Sequence, residues 1–204
     1  MQIEQFVMAY KIEQDRIRAL LPNDYESLRP VLRINTEIRQ EGNNAETYIE
    51  FNTPVAHDGK RGWLNIGNWS SNDTEITCEL RDKTTIIQTA FFKLSYTAVG
   101  IQGGCPAEKD NDGCFFRGQT TIFKPAEHIS EKKEFCDCEF SWAFHQGDAC
   151  GKSIGKTLPA TLEVQERTYP VMELTPENAA AIPCLQVLGT YIVRFERINC
   201  IEEE

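Results

Sequence analysis

The stretch from Thr47 to Trp69 constrains the fold more than any other part of this 204-residue chain. Ile49, Phe51 and Val55 alternate with Tyr48, Glu50 and Asn52. A period of two is what a strand with two unlike faces requires, because successive side chains leave a pleated backbone on opposite sides. His57 to Gly62 then reads as a polar turn. Its two glycines can take the positive φ that hairpin connections need. The second strand carries Trp63 and Trp69. Glu50 stands out in this pattern as a carboxylate in mid-strand, with an apolar face behind it.

The same alternation recurs along the chain. Residues 3–10 read as a first strand. Glu13–Leu21 reads as a helix, with Ile17, Leu20 and Leu21 on one stripe and Arg16 and Arg18 towards solvent. Pro22 ends it, since proline cannot continue the hydrogen-bond ladder. Val31–Gln40 alternates strictly, with Leu32, Ile34 and Ile38 on one face and Arg33, Asn35, Glu37 and Arg39 on the other. Gly42-Asn43-Asn44 is a turn. In Thr74–Leu80, Ile76, Cys78 and Leu80 are expected on the inner face. Thr84–Val99 is a long β-rich run that exceeds an ordinary strand and should bend or bulge.

Phe115–Phe123, Phe135–His145, Thr157–Arg167 and Leu185–Ile198 read as further strands, and Gly147–Gly155 as a glycine-rich connection. Cys136, Cys138, Phe140, Trp142 and Phe144 share one face of their strand. Thr175-Pro176-Glu177 starts a second short helix, with threonine as cap, proline at the first helical position and an acid near the positive end of the dipole. Pro183 stops it.

Roughly nine or ten strands and two short helices, without a βα rhythm, point to a mainly β fold. The expectation is one domain over residues 1–204. Its form would be an antiparallel β-barrel or strongly curved sandwich of the α+β kind, with two short helices and a central cavity, because closure removes exposed edges.

Composition narrows the function classes. The formal charge is −10, which repels phosphate backbones and anionic lipid, so neither nucleic acid nor membrane is expected as a partner. The first residues lack a cationic start followed by an apolar run, and no window approaches a membrane span. The expected location is the cytoplasm. There the eight cysteines should be mostly free thiols, several of them packed as small apolar residues.

Several motifs resolve to structural readings. The acids of residues 108–113 resemble the start of a calcium loop, but Gln119 stands where the last acid should be. Cys105, Cys114, Cys136 and Cys138 lack zinc spacing, and Cys136 and Cys138 share their face with Phe140 and Trp142, which favours packing. The glycine runs of residues 147–157 have three residues between glycines where a phosphate loop needs four, and Leu158-Pro159 follows instead of a helix. The placement of His57, His128 and His145 supports no catalytic pairing. No metal and no cofactor are expected.

The first third of the chain resembles the acetoacetate decarboxylase-like superfamily. A strand leads into a helix ending Ala19-Leu20-Leu21-Pro22 and then into the strand Val31–Gln40. Tyr48-Ile49-Glu50 is similar to that family's Tyr-x-Glu strand, and a glycine turn and the aromatic strand Gly62–Trp69 follow. The resemblance implies a mostly antiparallel barrel around a cavity. In the decarboxylase, a cavity lysine with a depressed pKa forms a Schiff base with a β-keto acid, and glutamates line the same cavity.

The chain departs from the family at the Gly-Arg-Glu…Pro-Lys-Lys signature. In its place stands Glu79-Leu80-Arg81-Asp82-Lys83, while Lys132-Lys133 lies in a polar stretch. Lys93, within Phe91-Phe92-Lys93-Leu94, is the best remaining amine, to be weighed against an outward-facing lysine with its head in water. Glu50 would act as acid, base or orienting group, with Tyr48, Asn52 and Trp63 lining the ligand site.

The leading expectation is a small-molecule-binding barrel acting as a lyase on a small keto acid through a cavity lysine. The alternative is a non-catalytic module of the same shape that binds or senses a metabolite. The ligand would be a small organic acid or carbonyl compound, and the barrel could self-associate as a homo-oligomer.

Overall fold

The computed structural model describes residues 1–101, 114–117, 120–123, 134–144, 147–152 and 169–197, with side chains for 1–99, 115–117 and 169–197. In chain order the elements are β1 (Gln2–Lys11), α1 (Gln14–Leu20), β2 (Glu26–Ser27), β3 (Val31–Glu41), β4 (Asn44–His57), β5 (Lys60–Ser70), β6 (Thr77–Arg81), β7 (Thr84–Gln88), β8 (Phe92–Ile101), β9 (Cys114–Arg117), β10 (Thr120–Phe123), β11 (Glu134–Phe144), β12 (Gly147–Lys152), α2 (Pro176–Ala180) and β13 (Gln186–Glu196). All thirteen strands among the described residues join one sheet, in the order β10-β9-β5-β4-β3-β1-β13-β11-β8-β7-β6, with β12 against β11 and β2 against β4.

The strands pair as the alternation demands. The β4–β5 connection is tighter than the six-residue turn expected from the sequence. Asp58 and Gly59 alone form it, at φ 48° and 71°, and His57 pairs directly with Lys60. Two positive φ values give the twist that matches the right-handed twist of the flanking strands.

A bulge between Phe51 and Asn52 shifts the register, so that Phe51 faces Gly67 while Asn52 faces Asn65. The extra residue, Ile66, reverses the faces of β5. Trp69 therefore joins Phe51 on one face, with ring centroids 5.7 Å apart. Trp63 joins the Glu50 face, where Arg33 lies over its ring at 4.1 Å.

The sheet curls over its apolar face. Strands β4 and β8 are five steps apart in the strand order, which on a flat sheet is about 24 Å. Yet Phe51 on β4 and Phe92 on β8 have ring centroids 6.4 Å apart. Phe6 and Tyr96 meet at 5.0 Å. The core lies inside this curl, built from Phe6, Met8, Tyr10, Ile34, Ile49, Phe51, Trp69, Leu94, Tyr96 and Ile192 among others.

Both helices pack into this core. From α1 come Ile17 and Leu20, and from α2 Ala179 and Ala180. Thr175 caps α2, its hydroxyl accepting from the amide of Asn178. The α2 helix sits so close to β5 that a Cβ on Gly67 would lie 2.5 Å from Cδ of Pro176. Trp69 donates its indole N–H to Glu177 at 3.1 Å.

Five expectations change. Phe115–Phe123, read as one strand, is two, β9 and β10, paired antiparallel. The sheet is open among the described strands, with β10 and β6 as its two ends, so the closed barrel gives way to a curled sheet. It is mixed rather than wholly antiparallel, because β9 returns from across the fold to pair parallel with β5. Thr84–Val99 is a hairpin instead of one bent strand. The Thr89 hydroxyl takes the amides of Phe91 and Phe92, and a side-chain acceptor of this kind ends a strand. Gly147–Lys152, read as a connection, is a strand on β11.

Cys78 and Leu80 are also corrected. Neither faces inward, since β6 is the terminal strand and exposed throughout, with Leu80 71% exposed. The strand proposed at Thr157–Arg167, the acidic loop of residues 108–113 and Lys132-Lys133 lie outside the described residues. No helix among the described residues is long and apolar enough to cross a membrane.

Candidate functional site

The middle of β4 is buried on both faces, five residues in a row from Phe51 to Val55. A half-exposed strand would bury only alternate residues. The face opposite the aromatic core is therefore covered at Asn52 and Pro54, while Tyr48 and Glu50 on it are half-buried. At one end it carries an apolar cluster of Ile3, Val7, Tyr191, Val193 and Phe195. At the other, Val31, Trp63 and Leu188 pack together. Between them lies a polar patch centred on Glu50.

Four donors converge on the Glu50 carboxylate. Asn35 and Asn52 each donate a side-chain amide to Oε1 at 3.0 Å. Asn65 donates to Oε2 at 2.9 Å, and the Tyr48 hydroxyl reaches the same oxygen at 3.4 Å. Register sets this geometry. Asn35 on β3 stands directly across from Glu50, Asn65 stands across from Asn52, and Tyr48 and Asn52 flank Glu50 two residues either way on its own strand.

A carboxylate offers about four acceptor positions, and here four donors take them up. Burying a charge needs this kind of compensation. The result is an oriented carboxylate rather than a free proton acceptor, since no lone pair is left for a substrate until a donor moves.

The network continues from Tyr48. Arg39 lies over the Tyr48 ring at 3.9 Å and donates to Glu37 at 2.7 Å. Glu37, 3% exposed, also accepts from Arg197 at 3.2 Å and from Gln5 at 3.1 Å. Burial, and after it the charge of Glu50, pushes the Tyr48 phenol up to about 12. Tyr48 is thus a neutral hydrogen-bond donor at ordinary pH.

Of the residues singled out in the sequence, Glu50, Tyr48 and Asn52 come together in this patch. Trp63 borders it through Arg33, which stands across from Asn52. Lys93 does not join them. Its neighbours Phe92 and Leu94 point into the core, so period two sends Lys93 outward to an exposed position. It lies close enough to Glu79 for their charges to interact. The cavity-facing nucleophile expected from its aromatic neighbours is replaced by a solvated lysine, because those neighbours occupy the opposite face of the strand.

Sequence reading missed Asn35, Asn65 and Arg33. Among the described residues no group of three or more His, Cys, Asp or Glu is arranged to hold a metal ion.

A curled, mostly antiparallel sheet with two short helices on its apolar face is an acetoacetate decarboxylase-like fold. The chain shares that fold with acetoacetate decarboxylase from Legionella pneumophila, at a TM-score of 0.60 and 13% identity, over 96% of this chain and 82% of that one. An acetoacetate decarboxylase-like enzyme from Sphingomonas wittichii matches at 0.54 and 12%, over 95% and 87%. The enduracididine biosynthesis enzyme MppR, in complex with pyruvate, matches at 0.53 and 11%, over 95% and 84%. No family model matches the sequence, and no curated protein does.

Proposed function

We propose that this protein binds a small organic acid at the Glu50 patch and does so without covalent chemistry at Lys93. The observation that carries the reading is the convergence of Asn35, Asn52, Asn65 and Tyr48 on one half-buried carboxylate beside an arginine stacked on Trp63. Arg33 supplies positive charge for an acid. Glu50 acts as a positioning residue that holds the asparagine side chains in one orientation. Fold neighbours lend support, since one of them is a complex with pyruvate, a small keto acid.

A second reading is a lyase that forms an imine between a lysine and a small keto acid. The enzymes named among the fold neighbours favour it. Among the described lysines, Lys60, Lys83 and Lys93 are exposed, while Lys11 on β1 is half-buried and stands across from Val31, so Lys11 is the described amine that fits this reading best.

Saturation-transfer NMR with propionate, pyruvate, acetoacetate, lactate and alanine tests the binding. At least one acid should show transfer with the wild type, and Asn52→Leu should lose it while keeping a cooperative melt. If none of the five shows transfer, or if Asn52→Leu binds as the wild type does, the reading is wrong.

A further inference from the structure

We infer that this chain pairs with a second copy of itself through β6, the two edge strands running antiparallel about a two-fold axis at Leu80. The inference does not depend on the binding proposal.

β6 is the terminal strand of the sheet, and all five of its residues are exposed. It pairs with β7 residue for residue, without a shift. Among the described residues nothing pairs with its far side. Such an edge presents a row of open N–H and C=O groups, and folded proteins commonly blunt it with lysine, proline or a bulge. Thr77–Arg81 has none of the three. Its two charges neutralise each other, since Arg81 donates Nε and Nη2 to Glu79 at 2.7 and 2.8 Å. Leu80 between them is 71% exposed.

The ladder fixes which backbone groups face outward. Asp82 and Lys83 form the two-residue turn to β7, with Asp82 at φ 53°. Arg81 and Thr84 are therefore the hydrogen-bonded pair that closes it. Bonded and non-bonded pairs alternate in an antiparallel ladder, so Thr77, Glu79 and Arg81 turn their backbone groups to β7. The other side of the hairpin agrees. The Ala98 amide of β8 donates to the Lys83 carbonyl at 3.0 Å, so the positions alternating with Thr84 serve β8. The N–H and C=O of Cys78 and Leu80 are left pointing away from the sheet.

Three registers let these groups bond to a second β6. Centred on Glu79, the two-fold sets Glu79 against its own copy, and like charges directly opposite repel. Centred on Cys78, it sets Glu79 against Thr77 and leaves Arg81 beyond the start of the partner strand. Centred on Leu80, it bonds Leu80 to its own copy and sets Glu79 across from Arg81 twice, in the closer non-hydrogen-bonded positions. This register alone matches each charge of β6 with its opposite, and it covers both Leu80 side chains. Because both copies use the same edge, the assembly closes at two chains.

Sedimentation equilibrium in reducing buffer, over roughly 1 µM to 1 mM, tests the pairing. Short edges bury little area, so the expected dimer is weak. Leu80→Pro removes an outward N–H where an edge strand tolerates proline, and should leave only monomer. Arg81→Glu should weaken the dimer about tenfold. Adding Glu79→Arg should restore it, which a folding defect would not allow. Mild oxidation should link Leu80→Cys, made in a Cys78→Ser chain, through position 80. Wild-type Cys78 should stay unlinked to its copy, because the two lie about 13 Å apart along the strands in this register, beyond the reach of a disulfide. Monomer at every concentration, a dimer indifferent to Leu80→Pro, no rescue by the double variant, or a link between two copies of Cys78 overturns the inference.

Discussion

Asn52 on β4 and Asn65 on β5 stand directly opposite each other, and both donate to the same carboxylate, Glu50, at 3.0 and 2.9 Å. With Asn35 and Tyr48 they leave the carboxylate nothing but donors for neighbours. Replacing it by an amide turns a donor onto donors. Glu50→Gln is expected to lower stability by about 1–3 kcal/mol, the cost of an unpaired buried polar group, read from urea midpoints. Stability equal to wild type would mean that the network does not hold the patch together.

Tyr48 gives the patch a signature in alkali. Its phenol is raised from 10.0 to about 12, by burial first and by Glu50 second. A folded-state pKa above the unfolded value stabilises the protein below the unfolded pKa, and the contribution is lost as pH rises through the folded one. Stability should therefore fall between about pH 10 and 12, and Tyr48→Phe should remove that part of the fall. In Glu50→Gln, spectrophotometric titration should find Tyr48 ionising at lower pH than in the wild type, yet still above an ordinary tyrosine because the burial remains.

Gly67 tests the seating of α2. A methyl group there meets Cδ of Pro176 at 2.5 Å, and a ring at the start of a capped helix cannot step aside cheaply. Gly67→Ala should cost about 1–3 kcal/mol, as overpacking does. Intrinsic fluorescence should change with it, because Trp69 two residues on is bonded to Glu177 in the same helix. A neutral Gly67→Ala would place α2 further from the sheet.

Lys93 should be chemically ordinary. Incubation with pyruvate or acetoacetate and borohydride, followed by peptide mass spectrometry, is expected to show no adduct at Lys93 beyond that at exposed Lys60 and Lys83. Selective trapping at Lys93 would restore it as a nucleophile.

Much of this patch was legible in the sequence, and what was not has definite causes. Alternation alone placed Tyr48, Glu50 and Asn52 on one face. Counting back from a two-residue turn at Gly42-Asn43 pairs Asn35 with Glu50, and counting out from Asp58-Gly59 pairs Asn52 with Asn65. Both turns are marked by glycine, but the sequence reads the first as three residues, Gly42-Asn43-Asn44, and the second as six, so neither register follows from it. The bulge at Ile66 leaves no mark in composition, yet it decides that Trp63 and Trp69 face opposite ways. Lys93 misled because flanking aromatics signal an apolar strand without saying which face the lysine takes. The exposed β6 misled because alternation describes two unlike faces and cannot tell whether anything covers the apolar one.

The most direct test of the account is a crystal structure of the protein grown with the tightest-binding acid of the panel. The account predicts the acid at the Glu50 patch, with its carboxylate beside Arg33 and no bond to any lysine. An acid found away from the Glu50 patch, or joined covalently to a lysine, would contradict it.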